Sequence, residues 1–190
     1  MTAYRVLTQA GDPNRRALVL PGANYTVQAP LLYFATKVLA VRGWTAESMV
    51  WDGVADAEEA AATYDALLRD RVAGGGRWLV VAKSRGTVVL PTAVELRVPG
   101  VWLTPLVSEA CEEPAVRDAV ARLRGTGAPH LFVGSTADPS WDTAVLEGAG
   151  RVVVIDGADH ALMRPGDWRG SLDALAQTAT AIDEFVTGLR

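Results

Sequence analysis

The sequence is poor in the residues that build covalent and metal-held scaffolds. In 190 residues it has one cysteine, Cys111, and two histidines, His130 and His160. A single thiol closes no internal disulfide, and three such residues cannot make a Cys/His zinc cluster. No apolar run approaches the roughly 18 residues of a membrane span, and residues 1–12 contain no apolar stretch of the kind a secretory signal carries. A basic block is missing too: 18 Lys and Arg against 22 Asp and Glu leave a net charge of −4. Nucleic acid is therefore not an expected partner, because a grip on phosphates needs clustered cations. The expectation is a cytoplasmic protein, a monomer or small homo-oligomer, with no membrane attachment.

What is present is the composition of a folded chain. Hydrophobic residues make up 49% and charged residues 21%. A single domain over residues 1–190 is expected, and at this size folding buries about 70% of the surface that the unfolded chain exposes. Seven short apolar, β-branched runs recur, at residues 4–7, 16–20, 45–51, 78–82, 101–104, 130–134 and 151–155. Those at Trp78-Leu79-Val80-Val81 and Val152-Val153-Val154-Ile155 are continuous, the pattern of strands buried on both faces. Helical stretches lie between the runs. Pro30 opens one whose stripe is Leu31, Ala35, Val38 and Arg42, and Gly43 ends it. Asp56 and Glu59 have capping-box spacing before a helix that runs to about Val72. In the last helix Trp168, Leu172, Leu175, Ala179, Ile182, Val186 and Leu189 step by three or four residues. This alternation predicts an α/β fold: a doubly wound, mostly parallel sheet of about seven strands with helices on both faces.

In open parallel sheets the working groups gather beyond the carboxyl ends of the strands. There the sequence puts Pro21-Gly22-Ala23-Asn24-Tyr25, Lys83-Ser84-Arg85-Gly86, Ser135-Thr136-Ala137-Asp138-Pro139 and Asp156-Gly157-Ala158-Asp159-His160. Ala82-Lys83-Ser84-Arg85-Gly86 has small residues two before and two after the serine, as a sharp strand-to-helix turn requires. Pro91 is expected to kink the following helix after about two turns. A serine hydroxyl needs a base within hydrogen-bond reach, and the base needs a carboxylate to hold its tautomer. His130 begins a strand and belongs at the far edge of the sheet, roughly a strand length (~17 Å) from Ser84. His160 follows a strand and belongs at the near edge, as does Asp138, with Asp142 as the alternative acid. The plain alternatives are helix caps for Ser84 and Asp138 and a surface loop for His160.

Ser84, Asp138 and His160, in that order and each after its own strand, resemble the α/β-hydrolase superfamily, whose triad runs nucleophile, acid, histidine. Gly134-x-x-x-Asp138-Pro139 and Gly157-x-x-His160 are similar to its acid and histidine loops, and the compact length resembles its small lid-less, dienelactone-hydrolase-like members. The family's usual Gly is Ala82 here, and its usual His before the oxyanion glycine is Pro21. The resemblance implies an oxyanion hole made by the backbone N–H of Arg85 and that of Ala23 or Asn24. It also implies acyl transfer to Ser84 and hydrolysis through water activated by His160, without metal or organic cofactor, on a small-molecule acyl substrate. An acyltransferase or perhydrolase on the same triad, or a non-catalytic binding module on the same fold, are the alternatives.

Other motifs carry less. Gly74-Gly75-Gly76 has no following Lys-Ser/Thr, and no Gly-x-Gly-x-x-Gly follows a strand, so no nucleotide site is expected. Glu112 and Glu113 beside Cys111 disfavour a nucleophilic thiolate. Tyr25 and Trp141 are expected to line the pocket, and Trp102 and Trp168 to lie in the core. Lys83 and Arg85 flank Ser84. Either would attract an anionic acyl or leaving group if it faced the pocket, but both are expected to point into solvent.

Overall fold

The computed structural model describes residues 2–189. They form one sheet of β1 (Tyr4–Gln9), β2 (Asp12–Leu20), β3 (Trp44–Trp51), β4 (Arg77–Lys83), β5 (Gly100–Leu103), β6 (His130–Gly134) and β7 (Arg151–Val154). The spatial order is β1-β3-β2-β4-β5-β6-β7, and only β1 runs antiparallel to its neighbour. The helices are α1 (Pro30–Val41), α2 (Ala57–Ala73), α3 (Leu90–Glu95), α4 (Pro114–Leu123), α5 (Thr143–Leu146) and α6 (Trp168–Gly188). Among the described residues no helix is long and apolar enough to cross a membrane.

Alternation along the strands divides the core into two layers. Ala17, Val19, Leu79, Val81, Val101 and Val133 face α1 and α6, while Leu18, Leu20, Val80, Ala82, Trp102 and Phe132 face α2, α3 and α4. Both faces are covered, so the interior strands are apolar at every position, and each fully buried Val or Leu contributes about 1.5–3 kcal/mol. The edge strand β7 departs from this pattern. Val152 and Val153 are half-buried and Val154 is exposed, because β7 has a neighbour on one side only and the helices do not extend past it. A continuous valine run therefore marks an edge strand here.

From β2 the chain crosses through α1 to β3 on one side, then returns through α2 to β4 on the other side of β2. The reversal opens a crevice between the carboxyl ends of β2 and β4. Asp56 caps α2, accepting the Glu59 N–H at 2.8 Å, while the Glu59 side chain holds Thr2. Two helical expectations are corrected. Pro91 kinks nothing: Ser84–Val89 is a 3₁₀ turn, and Pro91 stands in the first turn of α3, where a missing N–H costs no hydrogen bond. Trp168, expected in the core, is 63% exposed, as is Leu172 in large part, because the first half of α6 turns Gly170, Ser171 and Ala174 to the sheet instead.

Candidate active site

Ser84 ends β4 with φ +51°, a left-handed conformation that costs a side-chain-bearing residue about 1–2 kcal/mol. Its neighbours hold it there. A Cβ on Gly86 would lie 2.8 Å from the carbonyl oxygens of Leu20 and Pro21, so the elbow presses directly on the end of β2. A Cβ on Gly22 would lie 3.1 Å from the Lys83 carbonyl oxygen and from Ser84 Cβ. The Thr87 hydroxyl closes the turn, donating to the Ser84 carbonyl at 2.6 Å. Close approach thus explains glycine at both positions, and the elbow projects the serine from a 3₁₀ turn.

Ser84, His160 and Asp138 meet. Ser84 Oγ is 2.7 Å from His160 Nε2, and His160 Nδ1 is 2.8 Å from Asp138 Oδ2. An ionised carboxylate only accepts, so Nδ1 carries the proton and Nε2 is left to accept from the serine hydroxyl. The second Asp138 oxygen accepts the Ser140 N–H at 2.9 Å, and the carboxyl is fully buried. Burial pushes the Asp138 carboxyl up, but the His160 and Ser140 hydrogen bonds and the nearby His160 and Lys83 charges leave it below the ordinary carboxylate value. No helix begins at Pro139, so Asp138 makes an Asx turn rather than a cap. Asp142 is engaged elsewhere, capping α5 through the Ala144 N–H at 3.0 Å. His160 is held by its own turn, in which Asp159 accepts from Ala161 at 2.8 Å and Met163 at 2.9 Å.

His130 stands apart from this group at the start of β6, accepting at Nδ1 from Trp102 Nε1 at 3.1 Å. Burial pushes its imidazole down to about 4.

Lys83 contradicts the expectation of a solvent-facing side chain. It is 3% exposed, with Nζ 4.7 Å from the centre of the Tyr25 ring. Burial pulls its ammonium down to about 8, against the opposing pull of Asp138 and Asp159. It does not line the cavity described below.

The segment after β2 folds over the elbow. The Tyr25 N–H donates to the Gly22 carbonyl at 3.4 Å, and Asn24 takes φ +54° at the tip. Among the described residues the backbone N–H groups of Ala23, Asn24 and Arg85 donate to no protein acceptor. The Tyr25 hydroxyl accepts from the Leu31 N–H at 3.0 Å, fixing the loop to the start of α1.

Beside the elbow lies a cavity of about 300 Å³, walled by this loop, the end of β3 and the first part of α2. Its side chains include Tyr25, Met49, Trp51, Val54, Tyr64 and Arg85. Tyr64 ties its walls together: its hydroxyl donates to the Pro21 carbonyl at 3.0 Å and accepts from Trp51 Nε1 at 2.9 Å. Arg85 faces the cavity and not open solvent, against expectation. Trp141 does not line it. The indole is buried against Gly134, where a Cβ would fall 2.0 Å from the ring, and its Nε1 donates to Thr143 Oγ1 at 2.7 Å. Trp51 and Val54 escaped the sequence analysis, which weighed the segments after β2, β4, β6 and β7 but not the one after β3. Tyr64 had only its helical stripe as a signal.

Comparison of the sequence with protein-family profiles and with curated proteins finds no match. The fold has many relatives among solved structures. Est1E from Butyrivibrio proteoclasticus, solved with ferulic acid bound, superposes with a TM-score of 0.72 at 14% identity, covering 97% of this chain and 94% of its own. An esterase from Pyrococcus furiosus gives 0.66 at 12% identity over 98% and 92% of the two chains. A serine hydrolase without a lid from Xanthomonas campestris gives 0.61 at 13% over 97% and 88%. Over its described residues, this chain has the α/β-hydrolase fold in its small, lid-less form.

Proposed function

We propose that the protein is a serine hydrolase that cleaves an ester or thioester of a small acyl group. The observation that carries this is the unbroken hydrogen-bond chain from Ser84 through His160 to the buried Asp138. In the first half-reaction His160 Nε2 takes the hydroxyl proton as Ser84 Oγ bonds to the acyl carbon. The carbonyl electron pair moves onto its oxygen, and the N–H groups of Arg85 and of Ala23 or Asn24 are the donors available to that charge. One such donor contributes about 3 kcal/mol to a transition state. The tetrahedral centre then collapses, the bond to the leaving oxygen or sulfur breaks, and His160 returns its proton to the leaving group. In the second half-reaction water gives a proton to His160 and bonds to the acyl carbon. The Ser84 ester bond breaks, and the proton passes back to Ser84 Oγ. Asp138 stays ionised throughout and stabilises the imidazolium.

A fluorophosphonate probe tests the proposal. The wild type should be labelled at Ser84, and Ser84→Ala should take no label. Hydrolysis of a 4-nitrophenyl ester should fall at least about 10³-fold in Ser84→Ala and in His160→Ala, as removal of a triad member does elsewhere. Wild-type activity should rise with pH as the imidazole loses its proton. Labelling at another serine, or none, would overturn the proposal.

A further inference from the structure

The cavity beside the elbow has an uneven chemistry. Its walls are aromatic and aliphatic, and among the described residues lining it only Arg85 is charged. That guanidinium is poorly satisfied. Its one hydrogen bond is a long one, from Nη1 to the Ala55 carbonyl at 3.4 Å, and among the described residues it makes no ion pair. Elsewhere the chain's arginines find carboxylates readily. Arg69 holds Asp65 and Glu95, Arg42 holds Asp183, and Arg71 holds Glu47 and Asp70. Glu113 is the nearby carboxylate whose titration feels Arg85, yet the two form no ion pair, and burial favours the neutral Glu113 acid.

Position in the reaction says which part of a substrate meets this cation. His160 must return a proton to the leaving group, so the leaving group lies on the imidazole side of Ser84. The cavity is bounded instead by the loop 21–27, β3, α2 and Arg85, and His160 is not among its walls. With the carbonyl oxygen turned to the N–H groups of Arg85 and Ala23 or Asn24, the remaining substituent on the acyl carbon enters the cavity. That substituent is the acyl chain. An apolar acyl chain would cover Trp51, Val54 and Tyr64 well but would leave the guanidinium dehydrated and unpaired, which a buried cation resists. A chain ending in a carboxylate covers the same walls and supplies two acceptors in the geometry a guanidinium matches.

We infer that Arg85 selects acyl groups with an anionic far end, so that the preferred substrate is a half-ester or half-thioester of a short dicarboxylic acid. The inference rests on the hydrolase proposal and extends it. It divides the labour of one residue: the Arg85 backbone N–H serves the carbonyl oxygen, and its side chain serves the acyl terminus.

Three 4-nitrophenyl esters of matched length supply the test: the hydrogen adipate, the hexanoate and the 6-aminohexanoate, whose acyl ends are negative, neutral and positive. The wild type should rank them in that order by kcat/KM, with the adipate about tenfold to a hundredfold ahead of the hexanoate, as a charge-assisted pair provides. In Arg85→Gln that ratio should fall to near one, and in Arg85→Glu the 6-aminohexanoate should overtake the adipate. The glutamine variant covers the case in which the reversed charge does not fold. Equal rates for adipate and hexanoate in the wild type, or a ratio that survives Arg85→Gln, would overturn this inference and leave the hydrolase proposal standing. No hydrolysis of any ester, with no fluorophosphonate label on Ser84, would overturn both.

Discussion

Lys83 is the residue whose environment is hardest on its charge. Its stem passes beneath the loop over the elbow, its ammonium sits over the Tyr25 ring, and Asp138 and Asp159 lie close enough to be felt without forming an ion pair. The sign of its effect on stability follows from the direction of its shift. The ammonium is pulled from the ordinary 10.5 to about 8, so the unfolded chain binds this proton more tightly than the folded one. Below pH 8 the charge therefore costs stability, by about 3 kcal/mol at most. The cost is relieved as pH rises from 8 toward 10.5. The stack on Tyr25 offsets about 1–2 kcal/mol of it. Lys83→Met keeps most of the packing and discards the charge. It should raise the unfolding free energy at pH 7 by about 1–2 kcal/mol, and the gain over wild type should disappear by about pH 10.5. Urea denaturation at the two pH values checks this. A variant less stable than wild type at pH 7 would show that the lysine is retained as a structural clamp.

At the scale of elements, the site is a junction between β2 and β4, and glycine makes the junction possible. Gly86 brings the 3₁₀ turn against the carbonyl oxygens of Leu20 and Pro21, and neither oxygen can retreat, because both belong to backbone anchored at a central strand. Gly86→Ala should therefore destabilise the protein by about 2–4 kcal/mol, the range for overpacking where neighbours cannot relax. It should also abolish fluorophosphonate labelling even where the variant stays folded, since relief requires Ser84 to move. Thermal unfolding and labelling of the same sample separate the two effects. This junction was legible in the sequence. The small residues around Ser84 and the glycine after β2 carry a steric signature, and the Ser84, Asp138, His160 order carries a chemical one. What stayed hidden depends on packing between distant segments. Trp141 and Trp51 both follow a strand and look equivalent as sequence. The void left by Gly134 draws Trp141 into the core, while hydrogen bonding to Tyr64 holds Trp51 at the cavity. The extent of α6 was legible from its periodicity, but the face it buries was not. Gly170 and Ala174 let the first turns sit close to the sheet and turn Trp168 outward.

Over the whole molecule, the two histidines show how one residue type takes opposite roles from its end of the sheet. His160, beyond the carboxyl ends of the strands, keeps a third of its side chain exposed and is linked to an ionised carboxylate. His130, at the opposite edge, is buried between Trp102 and Phe132 with no carboxylate to stabilise a cation. Its Nδ1 must stay unprotonated to accept from the Trp102 indole. Burial lowers this imidazole from the ordinary 6.5 to about 4, so the unfolded chain binds the proton first as pH falls. Stability from this group is thus constant above pH 6.5 and is lost progressively down to pH 4, by about 3 kcal/mol in all. Carboxylates also begin to titrate near the lower end of that window, so the contribution is isolated by comparison with His130→Gln, whose amide oxygen can still accept from Trp102. Between pH 6.5 and 4.5 the wild type should lose about 2 kcal/mol more of unfolding free energy than the variant. Parallel losses in the two proteins would mean that His130 takes up its proton in the folded state and that its indole partner has moved aside. The acid sensitivity of the fold would then have to come from the carboxylates, Asp138 among them.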